Sequence, residues 1–423
     1  MKKIFKLIAA LAVPAAAFVA CSKDEGGDGS DLTAEEKALK AAVEEYVPGV
    51  IYSIYDKLAD STADLYDQLA DLKKGGVDAL TDDKIASVCN VFLDARAYWE
   101  KSEAFLFGAA TAYGIDPHID SWPLDRKKLA KELSKSDVIA DLEEEGAGAV
   151  DEVGTANLGF HGIEFILFRD GKPREASAFK SFDDDAELAA YKISGRCELI
   201  FAAAVAEDLR NYCWKLQASW NPKDFALGFV YDFDEGITTR RAYVNDVVEI
   251  PGEVDSDYTF GENLLASATA GSTYRTWQRA VTTILVSGCS NICSEVANSK
   301  IASAYDVNSS DYDGDYIESP YSKKSYLDFY NNIQSIVYSL YGKDGATAPS
   351  SKCIYSVLSR FGYEGAARLK STLEGAVASL QACLDSGKAF VDEPTAECAG
   401  NAIEAINALD VELNKAADWV SGL

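Results

Sequence analysis

Residues 157–175 read NLGFHGIEFILFRDGKPRE. An imidazole and a carboxylate, His161 and Glu164, stand in a run that is otherwise nearly all apolar: Leu158, Phe160, Ile163, Phe165, Ile166, Leu167 and Phe168. Three positions apart, they share one face of a helix. A helix apolar on most sides is buried, and a buried charge is costly unless it is paired. A buried glutamate is therefore protonated, ion-paired or metal-bound. Gly159 and Gly162 weaken the helix, and their small size lets another helix or a ligand come close. The one other histidine, His118, falls in a loop-like stretch and reads as solvated.

Partners for this pair must come from elsewhere. In the preceding helical pattern, Arg96 and Glu103 lie two turns apart on one face beside Trp99. The following segment, IDSWPLD, adds Asp120 and Asp125 around a Trp-Pro turn. One histidine and several carboxylates on facing helices form a ligand set suited to iron or another divalent ion. The same residues also suit a buried hydrogen-bonded network without a metal.

Helical periodicity runs through most of the chain. Thr33 and Glu36 have capping-box spacing, Pro48 is expected to kink or break the first run, and Thr81 is expected to cap a helix that stops at Gly108. The expected fold is all-α. One helical bundle covers 33–222 and contains the G-x-H-x-x-E stretch. An irregular interdomain segment follows at 223–262, where aromatics, β-branched residues, Gly and Pro mix, and a second helical bundle covers 263–423. Asp311, Asp313 and Asp315 suggest a calcium loop, but Gly314 falls between the second and third acids, so the stretch reads as a turn.

The chain of 423 residues opens with Lys2, Lys3 and Lys6, then an apolar run that ends at Cys21. Residues 1–20 read as a lipoprotein signal peptide, Cys21 as the lipid-bearing residue, and 21–32 as a flexible tether. The expectation is an exported lipoprotein held at the outer membrane through Cys21, facing the periplasm or the cell surface. A formal net charge of −28 argues against nucleic acid as a partner. The cysteines after Cys21 lie mostly in apolar helical runs and behave as small hydrophobes, with one or two bridges open to them after export.

GFHGIE resembles the G-x-H-x-x-E motif of the imelysin family, also called peptidase M75. ARAYWEKSEAFLFG, IDSWPLD, FILFRDGKPR, CSEVANSKIA and ESPYSKKSYLDFYNNIQSIVYSLYG resemble further segments of that family, in order, over about residues 35–420. The resemblance implies two all-helical domains with the motif near their interface, and an envelope protein of iron acquisition with iron-uptake partner proteins. It places His161 and Glu164 in the motif, as the pair expected to hold the metal or other ligand. Arg96, Ser102, Glu103, Asp120 and Trp122 fall in the flanking segments, and Tyr321, Ser322, Ser325, Asp328 and Asn332 in the second half.

Three functions compete. The first is metal binding or iron uptake. The second is the metallopeptidase of the family label, for which the chain lacks both H-E-x-x-H and H-x-x-E-H. The third is a surface protein for a peptide, haem or glycan in which the His–Glu pair is purely structural.

Overall fold

The computed structural model describes residues 32–181, 184–248 and 258–423. The leader, Cys21 and nearly all of the tether lie outside them. The architecture is all-helical. Nine helices organise it: α1 (Ala34–Tyr46), α2 (Ser53–Gly75), α3 (Asp82–Glu100), α4 (Gly159–Leu167), α5 (Gly195–Trp220), α6 (Trp277–Tyr305), α7 (Ser325–Tyr341), α8 (Ala366–Asp385) and α9 (Glu397–Ser421). Short helices fill the connections. The one sheet described is a hairpin, Phe168–Arg169 paired with Lys172–Pro173, turned by Asp170 and Gly171 at positive φ.

Local chemistry explains several boundaries. The Thr33–Glu36 capping box starts α1. The Thr81 hydroxyl accepts from the Lys84 N–H and starts α3. Two expectations change. Pro48 does not break the first run: residues Val47–Tyr52 form a π-helical turn that joins α1 to α2. The wider turn absorbs the proline, which has no N–H to give to the ladder. Helix α3 does not reach Gly108 but ends at Glu100, where the Ser102 hydroxyl donates to the Trp99 carbonyl and a 3-10 turn, Glu103–Phe105, follows.

Helices α2, α3 and α5 pack together in the first half, and α7, α8 and α9 in the second. One connected apolar core runs through both. The halves meet where α7 lies on α3 and on the Glu103–Phe105 turn, against which α6 also packs. Helix α6 is long and apolar enough to cross a membrane, but Leu285, Cys289, Ile292, Val296 and Ile301 bury its inner side in the core. It contains two π-helical stretches, Ile284–Ser290 and Val296–Ile301. Gly288 is required at the first, because a Cβ there would stand 2.1 Å from the Ala104 carbonyl oxygen.

The motif glycines place the site. Gly159 has φ +63°, and a Cβ on it would lie 1.9 Å from the Ile119 carbonyl oxygen. A Cβ on Gly162 would lie 2.2 Å from the Asn157 carbonyl oxygen. Bare backbone thus lets α4 begin directly on the 119–120 peptide, next to Asp120. Gly159→Ala combines left-handed strain with a backbone clash that no rotamer relieves. The expected loss is about 2–4 kcal/mol of folding stability. Urea denaturation would measure it, and a loss within about 0.5 kcal/mol would contradict this packing.

Candidate functional site

Arg96 is the hub of a charge cluster deep between the two halves. It is 2% exposed, on the inner face of α3, with its guanidinium 5.2 Å from the Phe160 ring centroid. Its Nη2 pairs with Glu100 Oε1 and Glu318 Oε1, each at 2.6 Å, its Nη1 with Asp120, and its Nε lies 3.6 Å from Asp328 Oδ2. Asp120 also accepts from the Trp99 indole N–H at 2.7 Å. Lys300, in the second π-helical stretch of α6, brings a second buried cation. Its Nζ lies 3.2 Å from Glu318 Oε1 and 3.9 Å from both Glu100 and Glu103, 5.2 Å from the Trp122 ring centroid.

His161 and Glu164 face this cluster from α4. The Nδ1 atom of His161 lies 3.4 Å from Glu164 Oε2. Its Nε2 stands 3.0 Å from Asp120 Oδ1, off the line of a hydrogen bond, so that this buried nitrogen has a carboxylate contact but no aligned partner. Glu164 Oε1 accepts from both the Ser322 N–H and the Ser322 hydroxyl at 2.7 Å, which ties α4 to the second half of the chain. Next to this tie, the hairpin turn donates the Gly171 N–H to the Tyr321 carbonyl at 2.9 Å.

Residues named from the sequence divide accordingly. Arg96, Glu103, Asp120, His161, Glu164 and Asp328 come together in the cluster. Asn332 donates its amide to Glu100, and the Ser325 hydroxyl donates to the Glu318 carbonyl. Trp122 covers one side, its ring 5.8 Å from His161. The Ser102 hydroxyl stays on the backbone of α3. Tyr321 turns its ring onto Phe165, so only its main chain serves the site. His118 is not a solvated loop residue. It lies on a one-turn helix, Asp116–Ile119, its Nε2 2.8 Å from Asp208 Oδ2 and its ring stacked on Tyr212. The acidic stretch at 311–315 is a turn, as expected, with the Asp313 side chain accepting from the Asp315 N–H. Glu100, Lys300 and Glu318 were not singled out from the sequence. Glu100 stands one helical turn from Arg96, a signal open to reading. Lys300 and Glu318 give no local sign of burial.

Burial and neighbouring charges pull these groups apart in proton affinity. Burial opposes charge on Arg96 and Lys300, but the surrounding carboxylates overcome it and keep both protonated. Burial also opposes the imidazolium, yet the Asp120 and Glu164 carboxylates push His161 up to about 9. Against burial, Arg96 and His161 hold Asp120 well below the ordinary carboxylate range. Burial raises Glu100 and Glu103, and lifts Asp328 to about 7. Asp116, at the edge of the cluster beside Glu295, is also raised to about 7, by burial and then by that neighbour.

The donor atoms fit a cation. One ligand atom from each of Asp120, His161 and Glu318 lies within 4.8 Å of the others, and the same holds for Glu100, Glu103 and Asp120. His161 Nε2, Glu318 Oε2 and Glu103 Oε2 are buried without a hydrogen-bond partner. Asp120 and the other oxygen of Glu318 are already held by Arg96, so an ion would share these carboxylates with the guanidinium.

Fold and cluster together define an all-helical protein with a buried histidine–carboxylate centre. The chain belongs to the imelysin family, whose model (peptidase M75) matches residues 51–415. A 79-residue stretch is 34% identical to the iron-regulated protein A of Synechococcus elongatus, covering 19% of this chain and 18% of that protein. The match therefore spans less than a fifth of that relative. Two solved structures share the fold. A protein from Parabacteroides distasonis described as an iron-regulated protein A precursor superposes with a TM-score of 0.71 at 23% identity, over 92% of this chain and 96% of its own. An imelysin-like protein from Psychrobacter arcticum does so with 0.56 at 12% identity, over 93% and 98%.

Proposed function

We propose that this is an exported lipoprotein of iron acquisition that binds a divalent cation, iron foremost, at His161, Asp120 and Glu318, with Glu164 orienting the imidazole. One observation carries the reading: an excess of buried carboxylates. Glu100, Glu103, Asp120, Glu164, Glu318 and Asp328 are all buried, against only Arg96, Lys300 and a protonated His161. Burial holds protons on Glu100 and Glu103, and a bound divalent ion would take the place of such protons with ligands of the type iron accepts. Membrane attachment through Cys21 and delivery to uptake partners belong to the same proposal, supported by the lipoprotein-like start and by the iron-regulated protein A relative. The metallopeptidase reading fares less well. His118 is committed to Asp208, and His161, Asp120, Glu164 and Glu318 are each no more than 4% exposed. Burial that deep suits an ion better than a polypeptide, a haem or a glycan.

Binding requires the neutral imidazole. His161, raised to about 9, is protonated at neutral pH and must release that proton to the solvent. Affinity is therefore expected to rise by about tenfold per pH unit from 7 towards 9. Calorimetric titration of metal-stripped protein with Fe(II), Mn(II) and Zn(II), repeated in buffers of different ionisation heat, reads both affinity and proton release. His161→Ala should lose binding while its circular dichroism stays helical. Equal binding by both proteins would refute the role of His161, and no binding by either would refute the reading.

A further inference from the structure

Independently of the metal reading, the structure brings two thiols to the same end of one helical hairpin. Cys383 lies buried in the last turn of α8, and Cys398, only partly buried, in the first turn of α9. The two helices pack closely along one hairpin. Both thiols sit at the loop end of that hairpin, where burial and then the neighbouring Cys398 push the Cys383 thiol up, and Cys398 Sγ lies 3.6 Å from the Tyr326 hydroxyl. Tyr326 packs on Phe390, in the connection between the helices, with ring centroids 5.4 Å apart. Other thiols are differently engaged. Cys89 points at the Leu167 carbonyl, Cys353 at the Ser350 carbonyl, and Cys289 and Cys293 share one helix.

We propose that Cys383 and Cys398 are a modification site: they form a disulfide that closes the α8–α9 hairpin when the chain meets a disulfide-bearing oxidant in the envelope. Cys398 is the sulfur an oxidant reaches first. Its thiolate attacks the oxidant's disulfide, which breaks and releases one thiol, leaving a mixed disulfide on Cys398. Cys383 gives its proton to a leaving thiolate, attacks the Cys398 sulfur and expels the second thiol. Two cysteine thiols are oxidised and one disulfide is reduced to two thiols. The cross-link would lie behind the first turn of α7, which carries Tyr326 on one side and Asp328 of the charge cluster on another.

The test uses the purified full chain with glutathione disulfide as the probe. After acid quenching, denaturation and alkylation with N-ethylmaleimide, peptide mapping by mass spectrometry should find a Cys383–Cys398 linked pair and the remaining described cysteines alkylated. In Cys383→Ser the resolving sulfur is gone, so a stable glutathione adduct should accumulate on Cys398 that the wild type does not keep. Full alkylation of both cysteines in oxidised wild type, a linkage to other cysteines instead, or no adduct on Cys398 in the variant would each overturn the proposal.

Discussion

Replacing Arg96 with methionine is expected to remove about 3–5 kcal/mol of folding stability, because the change leaves buried carboxylates without their cation. Glu100, Asp120, Glu318 and Asp328 all face this one guanidinium within the folded body. Methionine fills much of the volume, so the loss reports charge rather than a cavity. The penalty should shrink as the pH falls from 7 towards 4.5, where the orphaned carboxylates can take up protons. Urea denaturation across that range checks both statements. A loss under about 1 kcal/mol at pH 7 would place the cluster among weakly contributing ion pairs.

The wild type has its own pH dependence. His161, raised to about 9 from 6.5, adds stability that is complete below pH 6.5 and is lost as the pH rises through 9. Asp328 and Asp116, raised to about 7, hold protons in the folded state that the unfolded chain has given up, so their contribution also falls between about pH 4 and 7. Asp120, held low, works in the opposite direction and only in stronger acid. Metal-free protein should therefore be most stable in mildly acidic solution and lose stability steadily up to pH 9.

Lys300→Met is the second large effect. The ammonium stands among Glu318, Glu100 and Glu103, and its loss is expected to cost about 3–5 kcal/mol for the same reason. Lys300 also borders a second ligand set, Glu100, Glu103 and Asp120, its Nζ 3.9 Å from each of the two glutamates. A divalent ion should replace the missing charge there. Millimolar Mn(II) should then raise the melting temperature of the variant more than that of the wild type, since an ion that binds only the folded state stabilises it by mass action. A variant as stable as the wild type, or one whose melting ignores the ion, would show that Lys300 is not the cluster's resident cation.

How much of this could be read from residues alone depended on distance along the chain. Thr33, Glu36 and Thr81 act on backbone groups within one turn, and their helices start where the spacing predicts. His161 and Glu164 were legible because they interrupt an apolar run. The end of α3 was not, since the Ser102 back-bond competes with a helical pattern that continues to Gly108. Lys300 in NSKIA and Glu318 in IESPY look like ordinary surface residues, and what buries them is tertiary. Glu318 meets Arg96 from 222 positions away. The disulfide-prone pair was hidden for the same reason: spacing along the chain does not say which thiols the helices bring together.

The tie between Glu164 and Ser322 also bears on the order in which the molecule can be made. A chain emerging from its amino end presents Arg96, Glu100, Asp120 and Glu164 long before Lys300, Ser322 and Asn332 exist to meet them. Loop closure over so many residues is slow. Until it happens, the first half must either leave these groups in water or hold the charges in an unfinished interior. A nascent or truncated chain that stops before Lys300 should thus remain open around α3 and α4 until its last third has arrived.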